Sequence, residues 1–276
     1  MTDTNDAGAM GGAGGVPPAG AGTMPKVRRV SAADVRAALA AGIDDFRAAP
    51  LYGFLFGGLY TLGGLLLIAA VTRLHLPWLA YPLAAGFALI GPFVAVGLYE
   101  VSRRLAAKEP LSMGSIFGVV FAQRGRELGW MAFVTLFVFL MWMYQIRLLL
   151  ALFLGFKSFS SLTGFLTVVF TTPEGLMFLA VGHVVGAALA LIVFSITVIS
   201  MPLLLDRDVD FITAMITSVK VVATSPVPML GWGVVVAVAL VVGSLPMFAG
   251  LLIVLPVLGH TTWHLYKRAV EPPAPA

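Results

Sequence analysis

The sequence has no cysteine and little charge. Lys+Arg number 17 and Asp+Glu 13 in 276 residues, so 11% of the chain is charged while 59% is hydrophobic. A soluble domain carries about 25% charged residues, and this chain has too few to coat a water-facing surface of its size. The missing cysteines exclude disulfides, thiolate metal sites, iron–sulfur clusters and cysteine-linked lipid anchors. An apolar h-region is also missing from residues 1–25, so no cleavable signal is expected there and the first membrane helix doubles as the targeting signal. No Gly-rich phosphate loop, GxSxG or HExxH motif occurs. The basic residues lack interleaved aromatics, and no nucleic-acid partner is expected.

What the sequence does have is long apolar runs, with a mean hydropathy of +0.99. Crossing roughly 30 Å of hydrocarbon takes about 20 apolar residues. Six runs qualify, at about 51–71, 78–99, 129–153, 176–204, 227–244 and 246–266. The expected fold class is therefore all-α, a polytopic membrane bundle of six transmembrane helices over residues 31–268. Residues 1–30, rich in Gly, Ala and Pro, read as a disordered N-terminal tail, and 269–276 as a short disordered C-terminal one. Ser244 and Pro246 mark a turn between the last two runs; a single broken helix there would leave five spans.

Basic residues set the orientation. Fourteen of the 17 fall on the side of the N-terminus, among them Lys26, Arg28, Arg103, Arg104, Arg207, Lys267 and Arg268. Only Arg73 and Lys157 fall opposite, and Arg147 lies inside a run. This bias predicts both termini cytoplasmic and an even number of spans.

Three cytoplasmic segments look amphipathic. In 31–47, Val35, Leu39, Ile43 and Phe46 share a helical face behind a Ser31/Asp34 capping box. In 111–123, Met113, Ile116, Phe117 and Val120 do the same; in 208–222, so do Ile212, Met215, Ile216, Val219 and Val222. Each precedes two spans, which suggests a threefold plan of interfacial helix, span, span. Gly86 and Pro92 in one unit are spaced like Gly250 and Pro256 in another.

Few polar groups lie within the runs. His260 and His264 are four apart and project from one helical face, the geometry a metal or haem could bridge, though nothing supplies a third ligand. In the other reading His264 forms an interfacial belt with Trp263 and Tyr266 while His260 hydrogen-bonds to a neighbouring helix, and no metal or cofactor is expected. His183 lies inside the fourth run, too far in depth from His260 to share a site. Arg147 sits near the outer end of the third, where it snorkels, contacts lipid phosphate or joins a polar pathway. At the inner rim, Glu100, Arg103 and Arg104 follow the second run and Asp206, Arg207, Asp208 and Asp210 follow the fourth. They form an ionic collar suited to anionic lipid headgroups. Gly53/Gly57 and Gly182/Gly186 are small-xxx-small packing faces.

The stretches LIGPFVAVGLYEVSRR (89–104), SMPLLLDRDVDFITAMITSV (200–219) and LPVLGHTTWHLYKR (255–268) resemble the bacterial integral membrane proteins grouped as domain of unknown function 2189. The resemblance runs over about residues 30–268 and implies a multi-span inner-membrane protein without an established activity. Some members are labelled as a cytochrome c oxidase subunit I; four histidines are too few for a haem–copper core. The expected function is non-enzymatic: a scaffold, accessory or assembly factor contacting the bilayer and a membrane-protein partner. The alternatives are a small permease or channel with a polar path past Arg147, His183 and His260, and a haem- or metal-binding protein using His260 and His264.

Overall fold

A computed structural model of the chain describes residues 24–73, 80–123, 127–155 and 162–272; for residues 70–72, 80–92, 123 and 162 it describes the backbone alone. The described elements are α1 (Ala32–Ala48), α2 (Pro50–Thr72), α3 (Ala80–Ala107), α4 (Met113–Gln123), α5 (Glu127–Leu154), α6 (Leu162–Thr171), α7 (Pro173–Thr197), α8 (Ser200–Asp206), α9 (Phe211–Thr224), α10 (Pro226–Ser244) and α11 (Leu251–Ala269). No strand occurs among the described residues, only an isolated antiparallel bridge between Val27 and Val270. The all-helical expectation holds.

Local chemistry sets the helix ends. Ser31 and Asp34 form the expected capping box, with Ser31 Oγ accepting from the Asp34 amide at 3.2 Å and Asp34 accepting from the Ser31 amide at 2.9 Å. Asp210 caps α9 by accepting from the Thr213 amide at 2.8 Å. Pro50, Pro173 and Pro226 open α2, α7 and α10 at a position where no amide is needed. Gly155, at φ +66°, takes the left-handed conformation that ends α5.

Four described stretches are long and apolar enough to cross a membrane: Pro50–Ala69, Glu127–Leu154, Pro173–Asp206 and Pro226–Ser244. The other two expected runs correspond to α3 and α11. Of α3 only residues 93–107 are described with their side chains, and α11 is more polar because it carries His260, His264, Lys267 and Arg268. Between α10 and α11 the chain turns over residues 245–250, so the two are separate helices. A Cβ on Gly250 would lie 2.7 Å from the Gly243 backbone, a close approach that only glycine permits. α6 follows residues 156–161, which lie outside the described residues. Gly86 and Pro92 are described by backbone alone.

Two expectations shift. The tails were expected to begin at 30 and 269, yet the chain is paired across that boundary. The Arg28 amide donates to the Ala269 carbonyl at 2.8 Å, and the Glu271 amide to the Lys26 carbonyl at 2.9 Å. The residues beyond, 1–23 and 273–276, lie outside the described ones. The second shift concerns α1 and α9. Their large apolar stripes supply only part of the packed face. In α1 the buried positions are Ala38 and Gly42, with Val35 half-buried against the core, and in α9 they are Ala214, Thr217, Ser218, Val221 and, from the stripe, Val222, while Ile212, Ile216 and Val219 stay exposed. Small residues face the bundle because they let helix backbones approach closely. In α4 the expected face holds, with Ile116 and Val120 buried.

The core centres on α11. It packs against α1, α2, α3 and α10, and its Leu265 and Tyr266 join Ile199, Leu203, Ala214 and Trp232 in the larger apolar cluster.

Candidate functional site

The polar residues concentrate where the two chain ends meet, and they are held by helices that the small-residue faces bring close. Gly53 and Gly57 seat α2 on α11: a Cβ on Gly57 would lie 2.9 Å from the Leu251 carbonyl oxygen. Gly42 seats α1 on α11 opposite Thr261. Asp45 follows on that same inward face of α1, three residues on, and so reaches α11.

There the Asp45 carboxylate accepts a hydrogen bond from His264 Nε2 at 2.7 Å. The Ser102 hydroxyl of α3 also lies within reach of Asp45. Burial works against the Asp45 charge, but the hydrogen bonds from His264 and Ser102 outweigh it and hold its pKa below the usual carboxylate value. Ser102 Oγ lies 2.7 Å from His260 Nδ1, and both residues are fully buried. His260 Nε2 is buried without a hydrogen-bond partner among the described residues. The result is a chain of three links joining α1, α3 and α11.

This chain predicts an acid dependence. A carboxylate whose pKa is lowered on folding stabilises above its unfolded value of about 3.9, and that contribution is lost as pH falls through the folded value. Thermal midpoints measured from pH 7 to pH 3 should fall at the acid end. Asp45→Asn should lower the neutral-pH stability by about 1–2 kcal/mol and flatten that part of the profile. An unchanged acid limb in the variant would show that Asp45 does not carry it.

The charged rim separates into two further groups. Glu100, fully buried at the end of α3, accepts from Arg103 Nε at 2.7 Å, Arg103 Nη2 at 2.8 Å and Arg104 Nε at 2.6 Å. Arg103 continues to Glu109 at 3.3 Å and Arg104 to the Pro110 carbonyl at 3.2 Å. Asp206 at the end of α8 accepts from the Tyr266 hydroxyl at 2.6 Å and Lys267 at 3.2 Å. Next to it the Arg207 guanidinium donates to the Glu271 carbonyl. Asp206 therefore pairs with α11, and Glu100 with the arginines of its own helix. Asp208 is exposed, and Asp210 serves as the α9 cap.

The intramembrane candidates do not converge. Arg147 and His183 are exposed, on α5 and α7, while His260 is sealed between α3 and α11. No group of three or more His, Asp or Glu that could hold a metal occurs among the described residues. The two α11 histidines make different bonds, His264 to Asp45 and His260 to Ser102. Gly182 and Gly186 face α5, where a Cβ on Gly186 would lie 2.9 Å from Trp142.

Sequence inspection missed Asp45, Ser102 and Glu127, whose carboxylate accepts from the Phe211 amide at 2.9 Å. Asp45 carried a usable signal: it shares a helical face with the small residues Ala38 and Gly42, beside the apolar stripe. Ser102 and Glu127 had none, because their partners lie far along the chain.

No curated protein and no solved structure matches the chain. A family profile does match residues 80–206, from α3 through α8. Those bounds take in the whole first stretch of the resemblance and the start of the second, and leave the third, on α11, outside. Over residues 80–206, then, the chain is similar to the family described as a predicted integral membrane protein (DUF2189), and it is an integral membrane protein with several apolar helices.

Proposed function

We propose that the protein is a non-enzymatic scaffold or accessory factor of the bacterial inner membrane, crossing six times through α2, α3, α5, α7–α8, α10 and α11. The observation that carries this reading is a division of labour between polar and apolar groups. The buried polar side chains engage one another, as in Asp45–His264, Ser102–His260 and Glu100 with its arginines. The long helix α5 leaves Trp130, Phe133, Phe137 and Tyr144 exposed. Such a surface suits contact with lipid or a membrane-protein partner. Ser102 and His260 have the residue types of a nucleophile and base, but their complete burial favours a structural role.

Pairing of residues 26–28 with 269–271 supports an even number of crossings. The basic bias supports cytoplasmic ends. The order α1–α2–α3, α4–α5–α7, α9–α10–α11 fits a threefold plan. The exposed Ile212, Ile216 and Val219 of α9 suit a helix lying in the headgroup region, with the basic rim on anionic lipid.

Two assays on the full chain test the proposal. A photo-crosslinker at Phe137 in native membranes should give one discrete, saturable protein adduct, and proteoliposomes should show no ion or solute flux above empty vesicles. Flux that Arg147→Ala or His183→Ala reduces would replace the scaffold by a permease.

A further inference from the structure

Between α5 and α7 lies an open groove of about 530 Å³, lined by Trp142, Ile146 and Leu149 on one side and Gly182, His183 and Gly186 on the other. Its size falls within the roughly 300–1,000 Å³ of small-molecule sites. Apart from His183 and the Trp142 indole its walls carry no polar side chain.

His183 has a fixed tautomer. Its Nδ1 lies 2.7 Å from the Leu179 carbonyl oxygen. A carbonyl cannot donate, so Nδ1 carries the hydrogen and Nε2 of the neutral ring is a bare acceptor. Among the described residues this side chain makes no other hydrogen bond or ion pair. An acceptor on an apolar wall that faces the bilayer calls for a donor supplied from outside the chain.

Depth narrows what supplies it. His183 stands 23 residues from Asp206 along the apolar stretch Pro173–Asp206. At 1.5 Å per residue that is about 34 Å, slightly more than the roughly 30 Å hydrocarbon core. Arg147, 20 residues from Glu127 at the start of α5, reaches about 30 Å by the same rise. Both therefore sit at the headgroup boundary of the leaflet opposite the chain ends. Arg147 is exposed there, next in sequence to Ile146 of the groove wall. A cation at this level selects an anionic head, and the bare Nε2 selects a head with a hydroxyl.

We propose that this groove binds an anionic, hydroxyl-bearing glycerophospholipid, phosphatidylglycerol, from the leaflet opposite the termini. One acyl chain fills the groove, a headgroup hydroxyl donates to His183 Nε2, and the phosphate lies beside Arg147. The proposal rests on the membrane-scaffold reading and assigns a ligand to one of its lipid-facing surfaces.

The test is native mass spectrometry of the purified full chain titrated with three lipids of matched acyl chains. These are phosphatidylglycerol, phosphatidylmethanol (the same anionic phosphate without a headgroup hydroxyl) and phosphatidylethanolamine. Phosphatidylglycerol should be retained about fivefold over phosphatidylmethanol, the worth of one net hydrogen bond. It should also exceed the zwitterionic lipid. His183→Phe should remove the first preference and His183→Gln, which keeps an acceptor, should preserve it. Ala187→Phe, filling the groove, should weaken both anionic lipids equally. Thermal midpoints of all three variants identify any that fail to fold. Equal retention of the two anionic lipids by wild type, or a preference that survives in His183→Phe, overturns the proposal. So does a dimer that Ala187→Phe abolishes without changing lipid retention, because the groove then holds a second copy. These outcomes leave the Phe137 adduct and the flux assay untouched, so the groove and the scaffold reading fail separately.

Discussion

Replacing Glu100 with Gln is expected to lower the stability of the folded protein by about 3 kcal/mol, the lower end for breaking a buried ion pair. The side chain is 1% exposed and receives three guanidinium hydrogen bonds, two from Arg103 and one from Arg104. Glutamine keeps one acceptor oxygen but cannot balance either cation. The arginines are themselves partly solvated, 33% and 15% exposed, and Glu109 already reaches both. They can therefore shed part of the penalty, which is why the lower end applies. The consequence extends past α3. Arg103 and Arg104 tie its end to Glu109 and Pro110, the connection that leads into α4. Proteolysis of residues 108–112 should accelerate in Glu100→Gln along with the fall in thermal midpoint. Arg103→Lys, which keeps the charge and loses the fork, should show a smaller effect of the same sign. A Glu100→Gln protein with wild-type unfolding would mean that Glu109 alone neutralises the pair.

Glu100 also shows which features were legible in the sequence. Its partners stand three and four residues away on one helix, so periodicity alone places them together. The Ser31–Asp34 capping box and the Asp210 cap are local in the same way, and both occur as read. The inward faces of α1 and α9 were legible only in part, through Val35, Met215 and Val222. Hydrophobicity ranks Val35, Leu39 and Ile43 above Ala38 and Gly42, but in a membrane the large apolar side chains are as well placed against lipid as against protein. What decides the packed face is how closely backbones can approach. The Asp45–His264 and Ser102–His260 contacts were hidden for a related reason: they span 219 and 158 residues and exist only because α1, α3 and α11 converge. His260 and His264 were legible as a pair on one face, yet each is drawn to a different partner.

The second large effect is expected at Gly42. A Cβ there would lie 2.4 Å from Thr261 Oγ1, 2.6 Å from its backbone nitrogen and 2.9 Å from its Cα. The hydroxyl can rotate away, but the α11 backbone cannot, because α11 is packed on its other sides by α2, α3 and α10. The strain must therefore be relieved by moving α1 outward. Gly42→Ala should cost about 1–3 kcal/mol as an overpacked contact, and Gly42→Val more. Amide hydrogen exchange within residues 32–48 should speed up well before exchange in α10 does, since the strain falls between α1 and α11. The displacement also pulls Asp45 away from His264, because the two contacts share a face of α1 one turn apart. Gly42→Ala should for that reason lose the acid dependence assigned to Asp45, although it alters no titratable group. Combining it with Asp45→Asn should destabilise by less than the sum of the single changes, as expected for residues that act through one docking surface. Strict additivity would mean that α1 is held at Gly42 and at Asp45 independently, and that the polar chain from His264 through Asp45 and Ser102 to His260 does not depend on the glycine beside it.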